Sequence, residues 1–411
     1  MEITADLHIH SKYSRACSSS LTIPNLEKWA RIKGVNLLGT GDFQHQKWFN
    51  ELKENLTEED GILKTKTGFN FLLQTEISLI YNQDGKTRKI HHVILAPSYD
   101  VASQIIEILS KKGRLDYDGR PIFGMSSIEL VEKMMEVSKE IEIIPGHCLT
   151  PWFSIFGSNS GFDSVEECFK EKTRYIHALE TGMSADPAMI WRVDEWSKFN
   201  LVSNSDSHSF WPWRIGREAN IFECGLNYKE IVNAIRTKKG FVETIEVEPG
   251  YGKYHIDGHR NCNVFMEPCE AKKYNNICPV CKDKLTIGVL HRVEDLANRD
   301  IGYKPKDAVG FRKLIPLTEV IAGVYGIKQL ASKKVWGIYN GLIKNFGNEF
   351  NVLLNVEMND LKKFVDEKLA KVILLNREEK LKISPGYDGV YGKPIIDKEY
   401  LMKEQKSLSD F

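Results

Sequence analysis

The chain has 411 residues, enough for two or three domains, and its hydrophobic content of 42% is ordinary for a soluble globular protein. The formal net charge is zero, which excludes a whole-molecule field that attracts nucleic acid and leaves that role to local patches. No apolar run is long enough to cross a bilayer, and the first residues enter strand-like sequence without the basic and apolar regions of a signal peptide, so a cytoplasmic monomer with no membrane partner is expected.

Up to about residue 249 strands and helices alternate. Strand-like runs fall at 35–39, 69–73, 92–96, 141–144, 175–179 and 200–202, and helix-like stretches at 24–33, 101–112, 127–139, 186–198 and 228–239. Alternation of this kind implies parallel pairing, and this many units suggests a barrel. Near Glu248-Pro-Gly-Tyr-Gly the pattern breaks. Residues 250–300 carry a cysteine cluster and little helix, and the chain reads as helical from 301, with amphipathic stretches at 332–346 and 359–376 capped by Ser332 and Asn359. The expected units are therefore 1–249, 250–300, 301–397 and a charged, loose tail at 398–411.

Ten side chains that ligate metals recur at the ends of the strands in the first unit. They are His8, His10, Asp42, His45, Glu76, His92, His147, Asp206 and His208, with Glu180 as the weakest of the set. Two His residues two apart on a strand point the same way and can reach one ion. Imidazole with carboxylate suits zinc, manganese or iron, and a Glu can bridge two ions that act together on a phosphoryl group. A lone buried His is usually structural; an H-x-H pair and a D-x-H pair among several strand-end singles outweigh that explanation.

The eight cysteines divide into four scattered ones and a cluster of Cys262, Cys269, Cys278 and Cys281. Cys278-x-x-Cys281 is a compact hook, and Cys262 and Cys269 complete a tetrahedral thiolate site, with His259 or His255 as alternative fourth ligand. Such a closed site is structural, stabilising a segment too small to build its own core. A disulfide framework is not expected in a chain this large.

Residues 304–344 hold eight Lys and Arg side chains, Lys333 and Lys334 among them, against Asp307 and Glu319, a local charge of +6 that suits phosphates. Two loops place aromatics beside expected ligands: Trp152 and Phe153 follow His147, and Trp211 and Trp213 follow His208, together with Arg214 and Arg217. Stacking rings and guanidinium groups are what an extruded base and its phosphates require. The end of the chain, Gln405-Lys-Ser-Leu408-Ser-Asp-Phe411, has the form of a sliding-clamp-binding box, with Gln405 as polar anchor and Leu408 and Phe411 as apolar plug.

Asp6-Leu-His-Ile-His10, Thr75-Glu-Ile, Ile144-Pro-Gly-His147 and Asn204-Ser-Asp-Ser-His208 resemble the motifs of the PHP (polymerase and histidinol phosphatase) family of phosphoesterases. The resemblance implies that the first unit is a distorted (β/α)7 barrel, which the zinc module and the helical region would follow. It implies one ion shared by His8, His10, Glu76 and Asp206, a second held by Glu76, His92 and His147, and a third involving His208. Where the family has Asp-His this chain has Asp42-Phe43, with His45 three residues on as a substitute, and Ser14 stands where many members have Asp or His. His91 precedes His92, and strand alternation lets only one of them face the site.

Gly39-Thr-Gly-Asp-Phe-Gln-His, Gly252-Lys-Tyr-His-Ile-Asp-Gly-His-Arg, Leu285-Thr-Ile-Gly-Val-Leu-His-Arg-Val and Pro385-Gly-Tyr-Asp-Gly resemble the endonuclease Q family, PHP-type repair nucleases of archaea and some bacteria. This second resemblance spans essentially the whole chain. It implies damaged DNA as partner and cleavage 5′ of uracil, hypoxanthine, xanthine and abasic sites, with His8, His10, Glu76, Asp206 and His208 around the reacting phosphate. The implied cofactors are two to three divalent ions in the barrel (zinc, manganese or magnesium) and one structural zinc. A PHP-type phosphoesterase acting on a small phosphorylated metabolite is the alternative, although it has no use for a zinc module, a basic helical region or a clamp-binding tail.

Overall fold

Short buried apolar runs form the strands, and amphipathic stretches between them form the helices that cover the strands. The computed structural model describes residues 1–396. In chain order the strands are β1 Glu2–Asp6, β2 Leu37–Gly39, β3 Thr57–Glu59, β4 Ile62–Lys64, β5 Asn70–Leu72, β6 Gln74–Gln83, β7 Lys86–Leu95, β8 Ile122–Phe123 and β9 Glu142–Pro145. They continue as β10 Ala178–Glu180, β11 Asn200–Val202, β12 Ala219–Glu223, β13 Phe241–Glu246, β14 Asp257–His259, β15 Val264–Met266, β16 Gly310–Lys313, β17 Ile383–Ser384 and β18 Lys393–Pro394. One sheet has the order β16-β13-β12-β1-β2-β5-β4-β3, a second β8-β6-β7-β9, and β10 pairs with β11. The fold is mixed α/β. Among the described residues no helix is long and apolar enough to cross a membrane.

Parallel pairing is found where it was expected for β1 with β2, β2 with β5, and β10 with β11. It is not general. β1 pairs antiparallel with β12, and β6 and β7 form a ten-residue antiparallel hairpin that pairs in turn with β9. The hairpin turns at Asp84-Gly85, both at positive φ (53° and 73°), the turn geometry that an Asp-Gly pair favours. The expected helix at 186–198 is reduced to Pro187–Ile190 and a 3-10 turn at Trp196–Lys198. The expected helix at 359–376 is two helices, Met358–Leu361 and Glu367–Arg377. Asp366 interrupts it, its carboxylate accepting the Leu369 N–H as the N-cap of the second helix, so Asn359 caps nothing. Ser332 does cap the helix Lys333–Phe346.

The helices at Leu317–Val324, Lys333–Phe346 and Glu349–Leu354 are tied to the first part of the chain by a buried ion pair. Lys33 Nζ lies 2.6 Å from Glu349 Oε1, and the same carboxylate accepts from Leu317 N and Tyr339 Oη. Breaking one partner of such a pair costs about 3–5 kcal/mol. Beyond these helices the chain returns across residues 250–258. Gly386 donates to Gly250 O and Gly392 to Tyr251 O. A Cβ on Gly392 would lie 2.1 Å from Gly250 O, so only glycine permits this backbone contact. The strap so formed carries Tyr391. The expected clamp-binding residues Gln405, Leu408 and Phe411, and the tail from 398, lie outside the described residues.

Candidate metal centre

β1 runs on into Leu7–His10, where Leu7 and Ile9 are buried in the core and His8 and His10 point to the opposite side. A bridge between Ile9 and Ser207 brings Asp206 and His208 alongside. Ligand atoms of His8, His10, Glu76 and Asp206 all lie within 4.8 Å of one another, and so do those of Glu76, His91 and His147. Glu76 belongs to both groups. Its Oε2 is 3.2 Å from His10 Nε2, and its Oε1 is 2.7 Å from His91 Nδ1 and 3.2 Å from His147 Nε2. Asp206 Oδ1 stands 3.1 Å from His10 Nε2 and 3.7 Å from His8 Nε2.

His92 is not in the centre, contrary to expectation. The hairpin register pairs Ser78 with His91 and Ile77 with His92, so His91 shares the face of Glu76 while His92 points away. His92 Nε2 meets Ser127 Oγ at 2.8 Å beside the Phe169 ring, and burial pushes its pKa down to about 3. His45 also stands apart, its ring stacked on Tyr13 at 4.2 Å.

Two expected ligands serve instead as orienting groups. Both carboxylate oxygens of Glu180 lie 3.0 Å from His8 Nδ1, and Asp42 Oδ1 lies 2.9 Å from His10 Nδ1. Each holds the far nitrogen of a ring whose Nε2 faces Glu76 and Asp206, the arrangement by which carboxylates fix metal-binding imidazoles. Among the described residues the fully buried His8 Nε2 has no hydrogen-bond partner. A lone pair aimed between two carboxylates fits a divalent ion. Burial opposes ionisation of Glu76, but His91 and Arg120 hold its pKa well below the carboxylate range. His147, Asp206 and Asp42 all have positive φ (30°, 47° and 43°), backbone strain concentrated at the site. His208 packs on the His10 ring at 4.2 Å, and its Nδ1 donates to Asp206 O at 3.2 Å.

A cavity of about 300 Å³ opens beside these groups, lined by His91, His147, Asp206, Trp152, Phe153, Arg217, Lys253, Tyr254 and Tyr391, among others. Trp152 and Phe153 thus flank it, with Trp152 edge-on to Tyr254 and Phe153 against His91. Arg217 is buried and donates to Ser205 O through Nε and Nη2, while its Nη1 has no partner among the described residues. Arg214 and Lys253 lie 5.3 and 4.7 Å from the centre of the Tyr391 ring. Trp211 and Trp213 are not part of this wall. They pack with Trp29 and Trp336 at 5.3–5.7 Å and fasten the helix Lys333–Phe346 to the body. Lys333 and Lys334 are exposed at the start of that helix. Composition and spacing gave no sign of Arg120 in this region; Lys253 and Tyr254 fall in the Gly252–Arg260 stretch that carries the family resemblance, which gave them no role.

The cysteine site differs from expectation in one ligand. His259, Cys262, Cys278 and Cys281 place their ligand atoms within 4.8 Å of one another. His259 Nδ1 lies 3.4 Å from Cys281 Sγ. Cys269 is exposed on the helix Pro268–Lys273 and is not in the group, because β14 pairing with β15 already folds His259 back over Cys262. Three thiolates and one imidazole make a closed structural set for zinc.

A protein-family model described as the MJ0043 C-terminal domain matches residues 316–380. The uncharacterized protein MJ0043 of Methanocaldococcus jannaschii is 37% identical over 253 residues, 60% of this chain and 31% of that protein, so the match takes in about a third of that relative's length. The crystal structure of the lesion-specific endonuclease PfuEndoQ from Pyrococcus furiosus is similar with a TM-score of 0.87 and 32% identity, over 100% of this chain and 99% of that one. A structure of endonuclease Q in complex with a 27-mer duplex substrate, with an abasic lesion at the active site, has a TM-score of 0.88 and 32% identity, over 98% of each chain.

Proposed function

The chain belongs to the endonuclease Q family, and from that membership we propose that it is a metal-dependent endonuclease that nicks DNA 5′ of deaminated bases and abasic sites. The observation that carries the proposal is the Glu76 carboxylate shared by two histidine-rich ligand groups at the edge of a cavity. His8, His10, Glu76 and Asp206 would hold one divalent ion, and Glu76, His91 and His147 a second. Ions in such a pair supply Lewis acidity towards a phosphodiester and lower the pKa of water. Asp42 is committed to His10 and Ser11, which supports two ions rather than three. This imidazole-rich donor set favours zinc or manganese over magnesium, which takes oxygen ligands.

The chain's own groups then bind and orient. His208 keeps Nε2 free, since a carbonyl acceptor at Nδ1 requires that nitrogen to carry the hydrogen. That Nε2 lone pair can accept a proton from the water that attacks the phosphorus, and burial, which lowers the His208 pKa, keeps it available. Trp152, Phe153 and Tyr254 offer apolar faces to an extruded base, and the Arg217 Nη1 hydrogens suit a neighbouring phosphate. We read residues 1–249 as the distorted (β/α)7 nuclease barrel, to whose sheet β16 adds a strand, 250–300 as a zinc module and the helices between Leu317 and Arg377 as a DNA-binding region.

The test is a duplex bearing one deoxyuridine, incubated with Mg²⁺, Mn²⁺ or Zn²⁺ and mapped for a nick beside the Asp206→Asn variant. A single nick 5′ of the uracil, absent from the variant, is expected. Release of phosphate from a small metabolite without a nick would favour the phosphoesterase alternative. In the same assay Trp152→Ala should lower cleavage at uracil more than at an abasic site, because only the former has a base to stack. Equal losses would remove Trp152 from base recognition.

A further inference from the structure

Arg120 is outside every expected ligand set, yet its Nη1 lies 3.1 Å from Glu76 Oε2, at the carboxylate the two ligand groups share. Its position is fixed by the fold. β6 pairs parallel with β8 in the register Ser78↔Ile122, and Ser78 N donates to Pro121 O, so the residues two positions before each, Glu76 and Arg120, come side by side. The preceding turn is seated against the centre. Gly119 N donates to Tyr13 O, and a Cβ on Gly119 would lie 2.2 Å from Asp42 Oδ2, which excludes any larger residue. Asp118 accepts the N–H groups of Arg15 and Arg120, each at 3.2 Å. Unlike the fully buried Glu76 and His10 side chains, that of Arg120 is 30% exposed.

We propose that Arg120 is a catalytic residue that clamps a non-bridging oxygen of the scissile phosphate; the proposal rests on the phosphodiesterase reading of this centre. A guanidinium has no lone pair and stays protonated, so it cannot ligate an ion. Beside two divalent ions on Glu76 its charge is repelled unless an anion joins them. The centre's four carboxylates, Glu76, Asp206, Asp42 and Glu180, match the charge of two divalent ions. Asp118 is paired with Arg15. The charge of Arg120 is therefore left for the single negative charge of a phosphodiester, which its planar fork of donors fits. With Glu76 engaged by divalent ions, the Arg120 guanidinium would be released to the phosphate, where charge grows in the transition state.

The experiment compares wild type, Arg120→Ala and Arg120→Lys. Metal content by mass spectrometry should be unchanged, and affinity for the uracil duplex in Ca²⁺ should fall by much less than cleavage does. Single-turnover cleavage by Arg120→Ala should fall by about 10²–10³-fold, the loss typical of one donor to a developing oxyanion. Orthovanadate, titrated calorimetrically into the metal-loaded protein, should bind at least tenfold more weakly to Arg120→Ala, and added guanidinium should restore part of its cleavage. Cleavage and vanadate affinity both within about threefold of wild type, or loss of metal from the variant, would overturn the proposal. If wild type itself cuts no DNA, the phosphodiesterase reading fails, and the vanadate titration still decides whether Arg120 holds an anion beside the ions.

Discussion

Glu76→Gln should reduce single-turnover cleavage of a uracil duplex by at least about 10³-fold, because the variant removes the bridging charge from two ion sites at once. The neutral amide keeps the shape of the side chain but presents one weak acceptor where two charged oxygens face His10 on one side and His91 and His147 on the other. Bound divalent metal in the barrel should fall from two equivalents to one or none, measured by mass spectrometry after dialysis. His92→Ala is the informative control. His92 lies on the opposite face of β7 and bonds Ser127, so its removal should cost stability through an unfilled buried site while both ions and cleavage persist. Loss of metal from His92→Ala with retention by His91→Ala would reverse the assignment.

The second large effect concerns the cysteine module. Cys278→Ser should release one zinc and unfold the segment around β14 and β15, since a structural zinc contributes on the order of 10 kcal/mol to a segment of this size. The local core is small: Met266, Ala271, Cys278 and Leu285, with Cys262 and Val264 against it. Hydrogen exchange should therefore rise from 257 to 287 in the variant and remain protected in the helix Glu367–Arg377. His259→Ala should behave like Cys278→Ser, and Cys269→Ser like wild type. Zinc loss from Cys269→Ser with retention by His259→Ala would refute the set of His259, Cys262, Cys278 and Cys281.

These contrasts mark how far the chemistry was legible in the sequence. The pair His8/His10 was, because two-residue spacing on an extended segment fixes a common face; of Asp206 and His208 only Asp206 joins a ligand group, and its φ of 47° is not that of a strand. The choice between His91 and His92 was not, because it depends on the cross-strand register of β6 and β7, set by the Asp84-Gly85 turn. The Asp84-Gly85 pair is itself a hairpin signal, but alone it does not fix the face that each flanking residue takes. His259 displaced Cys269 for a similar reason: sequence proximity to Cys278 counts for less than the short β14–β15 hairpin that returns His259 to Cys262 and Cys281. Trp211 and Trp213 were expected at the DNA face because they follow His208, but the helix Lys333–Phe346, distant in sequence, covers them. Arg120 had no local signal. Its role follows from a two-residue strand and a glycine.

A pair of divalent ions bridged by Glu76 would underlie all of this chemistry. Anomalous diffraction from crystals soaked in Mn²⁺, with data at the manganese and zinc edges, tests it most directly. Two manganese peaks on either side of the Glu76 carboxylate are expected, one against His8, His10 and Asp206 and one against His91 and His147, with a separate zinc peak among His259, Cys262, Cys278 and Cys281. A single barrel peak that does not touch Glu76, or a peak coordinated by His92, would contradict it.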